Sequence, residues 1–198
     1  MENRKIKNLI FDNGNVLSLF SPDYLISQFF TSDQELIKKV VFGKIWNQLD
    51  ENTIEEKEAL KIWKEQLPER LHIQLEKMFN EWHHYLVPKE DMYQYMLEIK
   101  DQYHFYLLSN AGIRHQQFMI PALDLMEGAV VSYEICINKP DPRIYNELLT
   151  RYHLDPKECL MIDDKEENII EARKHGIAGF VYRDNIEDLK KYIQEMGE

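Results

Sequence analysis

The sequence predicts an α/β fold, with a mostly parallel sheet covered by helices on both faces. Two observations carry this. Short apolar runs rich in β-branched and aromatic residues alternate with helical stretches, and each run ends abruptly in polar residues. The runs are apolar almost throughout, as strands buried on both faces are. A third observation adds a second feature. Between Pro22 and about Tyr85 the β-rich runs vanish, which predicts a helical segment inserted after the first strand.

The first strand is read over Ile6 to Phe11, closed by Asp12 and a polar turn of Asn13, Gly14 and Asn15. Gly14 is the residue of this turn freest to adopt positive φ. The insert divides into about four helices. Asp33-Gln34-Glu35 opens one that carries Leu36, Ile37, Val40 and Val41 on its apolar face. Thr53-Ile54-Glu55-Glu56 reads as a capping box for the next, with Thr53 at the N-cap and Glu56 at N3. Pro68 starts another, through Leu71, Leu75 and Met78 towards Trp82. Trp46, Trp63, Phe79 and Trp82 are expected to form the core of the insert.

Pro88 marks the return to alternating elements. A helix is expected over Glu90 to Tyr103, and a strand over His104 to Leu108 that ends in Ser109-Asn110-Ala111-Gly112. Residues Ile113 to Leu125 read as helical or irregular, and Ala129 to Val131 as a short strand. In the loop Asn138-Lys139-Pro140-Asp141-Pro142 the prolines stiffen the chain, and Asp141 with Pro142 makes an N-cap and N1 pair. The strand Cys159 to Ile162 ends in Asp163-Asp164. Glu166 to His175 is a helix stopped by Gly176, Gly179 to Tyr182 the last strand, and Asp184 the cap of the final helix.

The length of 198 residues fits one large domain or a domain with a substantial insertion, and an apolar content of 44% allows a real core. A net charge of −11 argues against a nucleic-acid partner and against an anionic membrane surface. Cys136 and Cys159 form neither a CxxC nor a zinc pattern, and both read as buried thiols. The stretch Met1 to Lys7 is charged, without the apolar centre of a signal peptide, and no apolar run is long enough to span a bilayer. The expectation is a soluble, cytoplasmic monomer. No P-loop and no GxGxxG pattern is present, which disfavours an NTPase or a dinucleotide enzyme.

Right-handed crossovers bring the C-terminal ends of parallel strands to one edge of the sheet. Asp12, Ser109 and the pair Asp163-Asp164 are expected to converge there, with Lys139 reaching in from its stiff loop. Adjacent carboxylates raise one another's pKa unless a cation compensates. A site of oxygen donors without sulfur or histidine suits Mg²⁺. A carboxylate beside such an ion can attack phosphorus, while a hydroxyl and an ammonium hold the phosphoryl oxygens.

In this order and context the residues resemble the haloacid dehalogenase superfamily over nearly the whole chain. Phe11 to Leu17 is similar to its first motif, Leu108-Ser109-Asn110 to the second, Lys139-Pro140-Asp141 to the third, and Ile162-Asp163-Asp164 with Asn168 to the fourth. The wording of motifs one and four, with Ser132-Tyr133-Glu134 before the lysine, resembles the bacterial α-D-glucose-1-phosphatase-like branch. The resemblance implies a Rossmann-like core over residues 1–17 and 88–198, a small helical cap domain over 18–87, and Mg²⁺-dependent hydrolysis of a small-molecule phosphate monoester. It implies Asp12 as nucleophile, with Ser109, Asn110 and Lys139 around the phosphoryl group. Asp12, the Gly14 carbonyl and Asp164 would hold the metal, Asp163 would be a ligand or stand behind one, and Asn168 would orient them.

One position departs from the superfamily's usual phosphatase pattern. Gly14 stands where most members carry a second Asp that protonates the leaving group. The branch it resembles shares this Gly, and the proton donor is left open among His83, His84, Glu134 and water. A 2-haloacid dehalogenase and a non-catalytic binding protein are the alternative readings. A cap loop near Gly43 to Trp46 or Asn47 to Asp50 is expected to face the site.

Overall fold

The computed structural model describes residues 5–197. Residues 1–4, part of the charged stretch read as lacking a signal peptide, lie outside the described residues. Strand β1 (Asn8–Phe11) is followed by β2 (Ser18–Leu19). Five helices then intervene: α1 (Pro22–Phe29), α2 (Gln34–Val41), α3 (Lys44–Asp50), α4 (Glu56–Gln66) and α5 (His72–Glu81). Strand β3 (Val87–Pro88) pairs antiparallel with β2, so the chain leaves and re-enters through one short ribbon. The remainder alternates: α6 (Glu90–Ile99), β4 (His104–Ser109), β5 (Gly128–Val131), α7 (Ser132–Ile135), α8 (Pro142–Arg151), β6 (Cys159–Asp163), α9 (Glu166–Lys174), β7 (Ala178–Val181) and α10 (Ile186–Gly197).

The main sheet has the order β5-β4-β1-β6-β7, and every pairing in it is parallel. β1 lies at its centre with all four residues buried. Period-two alternation sends Leu9 and Phe11 to one face and Ile10 to the other. The first face packs on Met92 and Met96 of α6 and Leu189 and Ile193 of α10. The second packs on Ile144, Tyr145 and Leu148 of α8 and Ile169 and Ala172 of α9. The insert has a separate core around Ile26, Ile37, Trp63, Leu75 and Phe79. Among the described residues no helix is long and apolar enough to cross a membrane.

Several local expectations shift. The insert holds five α-helices rather than about four. The Thr53 capping box does not form: α4 begins at Glu56 after Glu55, and Thr53 Oγ1 donates instead to the Gln48 carbonyl at 3.2 Å. Asn185, not Asp184, caps α10, its Oδ1 accepting from the Glu187 amide at 3.1 Å. Asp184 pairs with Lys89. Cys159 is buried but Cys136 is exposed. The positive φ of the first turn sits at Asn15 (58°), while Gly14 does not use its freedom. The Asp141-Pro142 start of α8 forms as expected, with Asp141 accepting from the Arg143 amide at 2.9 Å.

Candidate active site

Three strand ends and one loop build the floor of one cavity of about 250 Å³. β1 delivers Asp12, whose amide continues the ladder to the Ile162 carbonyl at 3.0 Å. β4 ends in Ser109, buried and lining the same cavity. β6 ends in Asp163, and Asp164 follows it. The loop after α7 brings Lys139, whose side chain is 1% exposed.

Lys139 is the hub. Its Nζ lies 2.9 Å from Asp12 Oδ1, 2.7 Å from Asp163 Oδ2 and 2.6 Å from the Leu108 carbonyl. The Asn110 side chain fixes the Lys139 backbone, accepting from its amide at 2.7 Å and donating to its carbonyl at 3.0 Å. Burial pulls the Lys139 ammonium towards its neutral form, but Asp12 and Asp163 more than offset this and the net shift is upward. The Asp12 carboxyl also shifts upward, out of the ordinary carboxylate range. Burial, aided by Asp163 and Asp164 and opposed by Lys139, raises it to about 6.

Asp163 is wholly buried and fully engaged. Its Oδ1 accepts from the Lys165 amide and Asn168 Nδ2 at 2.8 and 2.9 Å, and its Oδ2 from Asn168 Nδ2 and Lys139. Asp164 accepts from Asn15 Nδ2 at 2.9 Å through Oδ2. One oxygen each of Asp12, Asp163 and Asp164 lie within 4.8 Å of one another. The hydrogen bonds to Asp12 fall on Oδ1, where the Asn13 amide also donates at 2.7 Å, and those to Asp164 fall on Oδ2. Among the described residues none donates to the other oxygen of either, or to the Gly14 carbonyl. These open hard oxygens, with no thiol or imidazole in the lining, fit Mg²⁺. Asp163 is the poorer ligand because its oxygens are already committed.

The rest of the lining comes largely from the insert. Trp46, Asn47 and Asp50 project from α3, where spacings of three and four residues put them on one face. Phe20, Phe42 and Trp82 join them, with Phe118 from the segment after β4. Trp63 and Phe79 belong to the core of the insert as expected, Trp46 packs against that core while facing the cavity, and Trp82 lies outside it and lines the cavity. Of the proton carriers left open by the sequence, His83 is buried outside the lining with both ring nitrogens unpartnered. His84 is exposed, and Glu134 lines a neighbouring cavity. Asp50 is the carboxylate of the insert that does line the site, and only the expectation that Asn47 to Asp50 faces it pointed there.

The chain is similar to known proteins over most of its length. The chain is 27% identical over 194 residues to a D-ribitol-5-phosphate phosphatase of Bacteroides thetaiotaomicron, covering 88% of this chain and 91% of that protein. It is 26% identical to a sesquiterpene phosphatase of Aspergillus oryzae, covering 96% and 97%. A haloacid dehalogenase family enzyme of B. thetaiotaomicron, solved with magnesium and inorganic phosphate, superposes with a TM-score of 0.74 at 26% identity over 93% of this chain and 98% of that one. The model of the haloacid dehalogenase-like hydrolases matches residues 6–176, and the chain belongs to this family of hydrolases.

Proposed function

We propose that the chain is a Mg²⁺-dependent phosphatase that hydrolyses small-molecule phosphate monoesters through an aspartyl-phosphate on Asp12. The observation that carries this is the buried carboxylate of Asp12 at the tip of the central strand, 2.9 Å from the Lys139 ammonium and beside Asp164. Asp12 attacks phosphorus. The Ser109 hydroxyl and Lys139 hold the non-bridging oxygens, and Asn110 contributes its backbone while its side chain keeps Lys139 in place. Asp12, Asp164 and the Gly14 carbonyl would hold Mg²⁺, whose charge would offset the repulsion between phosphate and carboxylate. Asp163 and Asn168 orient the lysine.

Residues 18–87 act as the cap over a core of 1–17 and 88–198. Cap aromatics Phe20, Trp46 and Trp82 offer an apolar wall to the carbon part of the ester. The names of the two phosphatase relatives support a phosphorylated organic substrate without choosing between a polyol and a terpenoid. The acid cluster also weighs against the dehalogenase reading, since a metal-free site gains nothing from crowded acids.

The test is hydrolysis of p-nitrophenyl phosphate with Mg²⁺, with EDTA, and by Asp12→Asn. Metal-dependent turnover that the substitution abolishes supports the reading. No turnover under any condition, with magnesium and phosphate still bound, overturns it in favour of a binding protein.

A further inference from the structure

An alkoxide is a poor leaving group, and its departure from phosphorus needs a proton donor. Gly14 cannot supply one. The cavity lining contains three carboxylates, Asp12, Asp50 and Asp164, and two ammonium groups, Lys139 and Lys165. Asp12 and Asp164 belong to the acid cluster, and Lys139 is held between Asp12 and Asp163. We propose that Asp50, carried over the site by the last turn of α3, gives the proton to the departing oxygen and later takes one from water. This rests on the phosphatase reading above.

The placement of Asp50 is built into the packing of the insert on the core. Its carbonyl accepts from Ser132 Oγ at 2.7 Å, and the fully buried Ser132 in turn accepts from the Ala111 amide at 3.0 Å. One turn earlier, the Asn47 carbonyl accepts from Asn138 Nδ2 at 3.1 Å. Between these ties the chain at Gly112 passes so close that a Cβ there would sit 3.3 Å from the Leu49 carbonyl. The last turn of α3 is therefore fastened to the two loops that follow Ser109 and precede Lys139. Trp46 shares its cavity-facing side.

The charges around Asp50 suit a proton carrier. Burial raises its carboxyl to about 7, with Glu51 on the following turn and Asp12 beneath adding to the rise. Lys165, from the loop after β6, and the Gly112 amide oppose it. A group balanced near neutrality can both give and take a proton at working pH.

The steps balance. A carboxylate oxygen of Asp12 bonds to phosphorus as the phosphorus–oxygen bond to the leaving group breaks, and that electron pair takes the proton of the Asp50 carboxyl to give the free alcohol. Water then attacks the aspartyl-phosphate and loses a proton to the Asp50 carboxylate. The bond to Asp12 breaks, the Asp12 carboxylate is restored, and inorganic phosphate leaves.

The experiment compares wild type and Asp50→Asn on a series of aryl phosphates and on glycerol phosphate, all with Mg²⁺. The expected loss in kcat/KM is graded, from less than about tenfold for p-nitrophenyl phosphate to about 10²–10⁴-fold for the alkyl ester. kcat for the aryl phosphates falls towards one common value as hydrolysis of the phosphoenzyme becomes limiting. Adding Gly14→Asp to Asp50→Asn is expected to restore alkyl ester hydrolysis in part, because a Cβ at residue 14 meets only Phe20 Cβ, at 3.8 Å. If Asp50→Asn does not fold, the wild-type profiles decide. kcat/KM for glycerol phosphate falls above about pH 7 and that for p-nitrophenyl phosphate lacks this limb. An equal loss for every leaving group, or no extra limb for the alkyl ester, overturns the role of Asp50 alone. Absence of Mg²⁺-dependent turnover in the wild type overturns the phosphatase reading itself.

Discussion

Lys139 Nζ and Asp12 Oδ1 stand 2.9 Å apart at the centre of the site, and the same ammonium reaches Asp163 at 2.7 Å. One cation thus pairs with two buried carboxylates that would otherwise repel each other. Lys139→Met leaves both without it. Breaking a buried pair in this way costs about 3–5 kcal/mol, against about 1 kcal/mol for an exposed one. Urea unfolding of Lys139→Met is expected to show that loss, and adding Asp163→Asn to recover part of it. A loss below about 1 kcal/mol would mean that water reaches the pair.

Asn15 holds Asp164, one of the proposed ligands of the metal. Its positive φ turns the side chain so that Nδ2 donates to Asp164 while Oδ1 accepts from the Phe20 amide. Asn15→Ala frees Asp164 to rotate. The Mg²⁺ concentration for half-maximal activity is expected to rise about 10–100-fold, with kcat at saturating metal changing far less. Unchanged metal dependence would place the ion elsewhere.

How much of this was legible in the sequence depends on the range of the interaction. Asp12, Ser109, Lys139 and Asp163-Asp164 each stand at a strand end or in a proline-stiffened loop, so topology alone brings them together. The Lys139–Asp163 ion pair and the double grip of Asn110 on Lys139 are contacts across 24 and 29 positions, and no local pattern encodes them. Local rules failed where a second residue competed for the same role. Thr53 reads as an N-cap, but its hydroxyl is taken by the Gln48 carbonyl. Asp184 reads as another, but its carboxylate is engaged by Lys89 and Asn185 takes the position. Gly14 looks like the flexible residue of the turn, but Asn15 accepts the left-handed conformation because its side chain is bonded at both ends.

The dependence of stability on pH has a definite sign at Asp50. Its folded carboxyl is raised to about 7 from 3.8, so its contribution is complete below about pH 4 and is lost as pH rises towards 7 and beyond. Asp50→Asn cannot ionise and escapes that loss. In EDTA, the Tm of Asp50→Asn minus that of wild type is expected to be larger at pH 8 than at pH 5. A difference independent of pH would show that the wild-type carboxyl titrates normally.

The aromatic wall predicts where binding energy comes from. Trp46 stacks on Trp63 and packs against Phe42 and the edge-on Trp82 while facing the cavity. Trp46→Leu keeps an apolar surface but removes ring area. KM for an ester with a bulky carbon part is expected to rise about tenfold with kcat nearly unchanged, the pattern of lost uniform binding. An equal drop in kcat would point to displacement of Asp50 on the same helix.

The most direct measurement is of the covalent intermediate. Wild-type protein is mixed with p-nitrophenyl phosphate and Mg²⁺, quenched in acid within the first turnovers, and digested for mass spectrometry. The mechanism predicts one phosphoryl group on the peptide that contains Asp12, absent in EDTA and absent in Asp12→Asn. Turnover that proceeds with no phosphorylated Asp12, or that survives Asp12→Asn, would contradict it.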